Sequence, residues 1–163
     1  MTLRNTLIAV WYCTWEERRL LAEAIWLLGL ARCAVSLLSF RRIAAGLGAP
    51  MRESPATDTD AHRTAVAQIG WAVRAVSHRL PGTRQCLVQA LAATWILQRR
   101  GIPSTMYCGV AKDATGQHTA HAWVRSGTQV LTGAQGRHTF AVVATFANPP
   151  KDGVGPCHTS DGP

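Results

Sequence analysis

The sequence predicts an α+β fold, with helices first and then a small antiparallel sheet packed on the fourth helix. Two patterns point there. Apolar residues recur at steps of three and four through most of residues 15–99, the period of helices with one buried face. From Thr105 onward, short runs alternate apolar and polar residues and are broken by Asp/Gly and Ser/Gly turns, the signature of hairpin strands. A run of helices followed by a run of strands reads as α+β, not as a parallel α/β sheet. The length of 163 residues favours one domain, large enough to bury a core without disulfide staples.

Met1–Thr14 is short and mixed and reads as an extended arm. Trp15–Leu38 reads as one helix: Leu20, Leu21, Ala24, Leu27, Leu28, Ala31 and Val35 share a stripe, and Glu16 and Glu17 lie near its start, where they suit the helix dipole. Its length approaches a membrane span, but Arg18, Arg19, Glu23 and Arg32 interrupt it, so burial against the domain or a partner is preferred over membrane contact. Ser39 is placed to cap a second helix, Phe40–Leu47. Gly48–Thr59, with Pro50, Ser54, Pro55 and Asp58, reads as a linker. A third helix, about Asp60–Arg79, carries Ala65, Ile69, Val73 and Val76 inward and stops at Pro81-Gly82. The fourth starts near Arg84 or Gln85, buries Leu87, Val88, Leu91, Ala92, Trp95 and Ile96, and ends at Gly101 before Pro103. Strands follow at Thr105–Ala111, Thr119–Val124, Thr128–Thr132 and Phe140–Phe146. The expected organisation is a helical segment over 1–48, a linker over 49–59, a core over 60–147, and a disordered tail over 148–163.

The formal charge is +8, supplied mostly by arginine. It is spread evenly: residues 1–82 hold ten Arg against six acids, and residues 83–163 hold five Arg and two Lys against three. A nucleic-acid footprint clusters on one face or helix, so no nucleic-acid partner is expected; a diffuse positive field suits an acidic peptide or a partner protein. The five cysteines cannot all pair and form no Cys-x-x-Cys, which fits a reducing, cytoplasmic setting. No convergent spacing suggests a metal, and no cofactor is expected.

Two residues carry the chemistry. Cys86 stands where a Pro-Gly turn becomes an apolar helix, and His121 stands in the strand Ala120-His121-Ala122-Trp123-Val124. A thiol attacks carbonyls only as thiolate; a helix N-terminus stabilises that anion, and an imidazole can take the proton. Free N–H groups of the first helical turn are suited to a tetrahedral oxyanion, with Gln85 a further donor candidate. Against this stands the commoner role of a cysteine on an apolar helix face, that of a small core residue, which is the reading given to Cys13, Cys33 and Cys108; Cys157 falls in the tail. His118 lies three residues from His121, so on a strand the two face opposite ways and only one can face Cys86. His62, His78 and His138 sit in polar contexts.

Taken in order, Cys86-Leu87-Val88-Gln89-Ala90-Leu91, Gln98-Arg99-Arg100-Gly101-Ile102-Pro103, Gly109-Val110 and Ala120-His121-Ala122-Trp123-Val124 form a specific series. Over about Leu80–Phe146 the chain resembles the lasso-peptide biosynthesis B2 leader peptidases, standalone proteins with a transglutaminase-like cysteine protease fold. The resemblance implies that Cys86 is nucleophile and His121 general base, then acid. It implies removal of the leader from a ribosomally made precursor peptide, with a separate leader-recognition protein and a macrolactam synthetase as partners. It also implies an Asp soon after the His-Ala-Trp strand, where this chain has Val130-Leu131-Thr132-Gly133-Ala134. The orienting role is left to Gln129, Thr132, Asn148 or a backbone carbonyl; an amide suffices in other cysteine–histidine pairs. Two other readings stay open: a non-catalytic precursor-binding subunit, and acyl transfer to an amine.

Overall fold

A computed structural model of the chain describes residues 14–57, 59–112 and 115–148. The expected N-terminal arm and the expected disordered tail lie outside the described residues, apart from Thr14 and Asn148.

The fold is α+β. Helices α1 (Trp15–Leu37), α2 (Phe40–Ala44), α3 (Asp60–Ser77) and α4 (Cys86–Arg99) accompany strands β1 (Ala49–Pro50), β2 (Ser104–Lys112), β3 (His118–Ser126), β4 (Gln129–Thr132) and β5 (Ala141–Asn148). The strands form one antiparallel sheet in the order β1-β5-β2-β3-β4. Most boundaries shift by one or two residues from the sequence expectation, and three differences have a visible cause or consequence. The second helix stops at Ala44, three residues early, and Ser39 precedes it without a side-chain capping bond. The linker holds a two-residue strand, β1, because its backbone pairs with Phe146 and Ala147 of β5. The last strand runs on to Asn148, whose amide donates to Ile102 O.

Local chemistry accounts for the helix ends. Thr14 and Glu17 form a reciprocal capping box on α1, satisfying two backbone donors at its start. Thr59 caps α3 by accepting from the His62 N–H. Gly101 follows α4 in the left-handed region, φ +67, and the Ile102 N–H turns back to Leu97 O.

The core lies between the helices and one face of the sheet. Leu28 of α1, Ile69 and Val73 of α3, Leu91 and Ile96 of α4, and Met106 and Val124 of the sheet are all fully buried in a single cluster. α1 is long and apolar enough to cross a membrane by length and composition. Its inner face, Leu20, Ala24, Leu27, Leu28 and Ala31, is instead part of this core.

The sheet's other face carries its own layer. Tyr107 and Trp123 stack at 5.3 Å, nearly parallel. Arg125 donates to the Tyr107 hydroxyl, Ser54 O and Gly127 O, and pairs with Glu53 at 3.1 Å, pinning the linker to the sheet.

Candidate active site

Cys86 is the first residue of α4, and a braced turn puts it there. The Thr83 hydroxyl donates to Leu80 O at 2.8 Å, Arg84 reaches back to His78 O, and Gly82 turns at φ +74 against the Arg32 guanidinium. Gln85 is the N-cap, exposed, and its side chain makes no capping bond. No acid occupies the first turn. The first intrahelical bond is Gln89 N–H to Gln85 O, so the N–H groups of Cys86, Leu87 and Val88 precede the ladder. An uncapped helix start presents its first-turn N–H groups to an anion such as the oxyanion of a tetrahedral intermediate.

Cys86 is half-buried and packs against the core beside Cys108 of β2. Burial pushes the Cys108 thiol up to about 11, and the neighbouring Cys86 adds to the rise. Cys108 therefore stays protonated at neutral pH and serves as a packing group, as expected from the sequence. Cys33, expected to pack as well, is exposed on α1.

His121 lies opposite Gly109 in the β2–β3 register, one position from the Cys108–Ala122 pair. Residues 118–120 are exposed and Ala122 is buried, so His121 marks the rim where the core ends. Its ring packs on Phe140 at 5.0 Å and on Trp123 at 5.8 Å. Nε2 lies 2.9 Å from Gly133 O. A carbonyl only accepts, so Nε2 carries a hydrogen; in the neutral ring the lone pair is then on Nδ1. Gly109 is required opposite, because a Cβ there would come within 3.0 Å of both Phe140 and Trp123.

Gly133 occupies the stretch in which a carboxylate was expected. Its φ is +68, and a Cβ would fall 2.5 Å from Ala122 O, 2.8 Å from Trp123 Cβ and 3.1 Å from His121 Nε2. Of the four candidates for orienting the histidine, the backbone carbonyl makes the contact. Gln129 donates to Arg63 O on α3, Asn148 donates to Ile102 O, and Thr132 is buried with its hydroxyl unpartnered.

Strand alternation divides the two site residues. Cys108 and Ala122 project toward the helices, whereas Gly109, His121 and Trp123 belong to the opposite face. Cys86 therefore lies on the helix side of the sheet and His121 on the other side, and no hydrogen bond joins them among the described residues. His118 shares the parity of Ala122 but lies exposed beyond the core. A cleft of about 860 Å³ lies at the other end of α4, lined by Glu17, Glu23, Arg99 and Arg100 among others, and is separate from this site. Among the described residues no group of three or more His, Cys, Asp or Glu could hold a metal ion.

The model of the transglutaminase-like superfamily matches residues 26–145 of the chain, which include Cys86, His121 and Gly133. No curated protein and no solved structure matches.

Proposed function

The chain belongs to the transglutaminase-like superfamily, and from that premise we propose that it is a cysteine peptidase that removes the leader from a lasso-peptide precursor. It would act with a separate leader-recognition protein and a macrolactam synthetase. The superfamily supports a cysteine peptidase or acyltransferase kind of activity. The narrower reading rests on the order of the sequence motifs around Cys86, Arg99-Arg100-Gly101-Ile102-Pro103 and His121. One observation carries the chemistry. His121 is bonded through Nε2 to Gly133 O, so in the neutral ring Nδ1 is the nitrogen able to accept a proton, and Cys86 opens an uncapped helix.

In the proposed cycle the Cys86 S–H gives its proton to His121 Nδ1, and the thiolate attacks the carbonyl carbon of the scissile bond. The carbonyl oxygen becomes an oxyanion, held by first-turn N–H groups of α4. Collapse breaks the C–N bond; the leaving amine takes the proton from Nδ1 and an acyl thioester remains on Sγ. Water then attacks the thioester while Nδ1 accepts its proton. That proton returns to sulfur as the acid leaves. Proton transfer needs Sγ and Nδ1 at about 3–3.5 Å, so this cycle requires His121 to be brought from the outer face of the sheet to the Cys86 side when substrate binds.

Cleavage of the precursor, presented by its recognition protein, should vanish in Cys86→Ala and in His121→Ala. Full cleavage by both variants would refute the proposal. A product carrying a free C-terminal acid identifies hydrolysis, and an amide identifies acyl transfer.

The opposed sheet faces favour a second reading, a precursor-binding subunit without catalysis. Tight precursor binding, with Cys86 unreactive toward iodoacetamide at neutral pH, distinguishes it.

A further inference from the structure

α1 has a second apolar face, and this one is turned to solvent. Trp15, Ala22, Trp26, Leu30, Cys33 and Leu37 recur at steps of seven, four, four, three and four, which places them along one side of the helix. All six are exposed, with Trp15 at 73%, Trp26 at 68% and Leu37 at 80%. Leu38 and Phe40, just past the helix end, are also exposed. The strip runs the length of a 23-residue helix, about 34 Å. Large apolar patches of this kind on a folded domain mark a contact surface.

The charges around it are one-sided. Glu17 is engaged in the capping box, and Glu23 is paired with Arg100 at 2.8 Å and Arg99 at 3.6 Å. Glu16 is the remaining acid of the helix. Arg18, Arg19 and Arg32 of α1 and Arg41 and Arg42 of α2 are all exposed. We infer that this face is a docking surface for an anionic lipid bilayer, on which α1 lies in the interface plane.

Three features commit the face to lipid. The helix is long and apolar, and its inner face is core, so only its outer side is open to a bilayer. Exposed tryptophans beside arginines suit the headgroup boundary, where indole rings sit at the interface and guanidinium groups reach phosphates. Pairing this face with a second copy would bring two arginine-rimmed patches together on chains of formal charge +8, whereas an anionic surface complements them.

The full chain is incubated with vesicles of phosphatidylcholine alone or with about 30% phosphatidylglycerol, and bound protein is measured by sedimentation. Binding is expected on the anionic vesicles, with a blue shift of tryptophan emission, and at least about tenfold weaker on the neutral ones. About 0.5 M salt should weaken it in the same way. Arg41→Gln with Arg42→Gln should cost about 25-fold, near fivefold for each cation at an anionic surface. Trp26→Ser with Leu30→Ser removes only exposed side chains and should abolish the blue shift while circular dichroism stays unchanged. Absence of binding to anionic vesicles overturns the inference. So does equal binding to both vesicle types, or a dimer in light scattering that the Trp26→Ser/Leu30→Ser variant dissolves without any vesicle binding.

Discussion

Replacing Gly133 by alanine tests the orienting carbonyl directly. The residue sits at φ +68, and the left-handed region costs a side-chain-bearing residue about 1–2 kcal/mol. The added Cβ would also lie 2.5 Å from Ala122 O, a backbone atom that cannot swing aside, so the loop must move and carry its own carbonyl off His121. Losing that hydrogen bond removes about 1 kcal/mol more. The expected destabilisation is therefore about 2–3 kcal/mol. Gly136→Ala is the control. Its φ of +69 imposes the same backbone cost, but nothing lies within 4 Å of a Cβ there, so it should lose only about 1–2 kcal/mol. Urea denaturation gives both numbers. Nitrogen-15 spectra of the imidazole should find His121 as the Nε2–H tautomer in the parent chain and as a mixture in Gly133→Ala. Equal stability losses in the two variants, with an unchanged tautomer, would refute the reasoning.

Other outcomes follow from the same geometry. Iodoacetamide near neutral pH should label Cys86 and spare Cys108, whose thiol is pushed up to about 11 by burial and by Cys86; peptide mapping by mass spectrometry reads this. Because the folded chain holds that proton above the ordinary thiol value of 9.0, the unfolded chain binds fewer protons between about 9 and 11. Stability should fall across that window by at most about 1.4 kcal/mol per pH unit, less any solvent screening, and Cys108→Ala should flatten the slope. Arg125→Ala removes donors from Ser54 O, Gly127 O and the Tyr107 hydroxyl and should cost about 2–3 kcal/mol; the exposed Glu53 contributes little to that figure. The same variant should move Tyr107 ionisation further upward, since burial and then Glu53 already raise it and Arg125 is the group that lowers it. Ultraviolet titration of the phenol checks the direction.

Much of the architecture was legible because helix and strand periods are local. The stripe in residues 15–37, the Pro-Gly stop before Cys86 and the Gly-Ile-Pro stop after Arg100 are each written within a few neighbouring residues. The short β1 was not legible, because two residues carry no period and only pairing with Phe146 and Ala147 makes them a strand. The solvent-facing apolar strip of α1 was hidden for a related reason. When both sides of a helix are apolar, sequence alone does not say which side the core takes.

The site divides in the same way. Sequence placed Cys86 at a helix start and His121 on a strand, and showed no carboxylate in residues 130–134. Two further facts belong to tertiary structure. Every residue has a backbone carbonyl, so nothing in the residue types marks Gly133 O as the partner of His121; the β3–β4 connection brings it there, and only glycine fits the space. Alternation says that His121 and Trp123 share a face, but which face meets the helices is decided by where Ala122, Val124 and Met106 find their core. Local pattern fixes what each residue can do, whereas packing over long sequence separations fixes what it can reach.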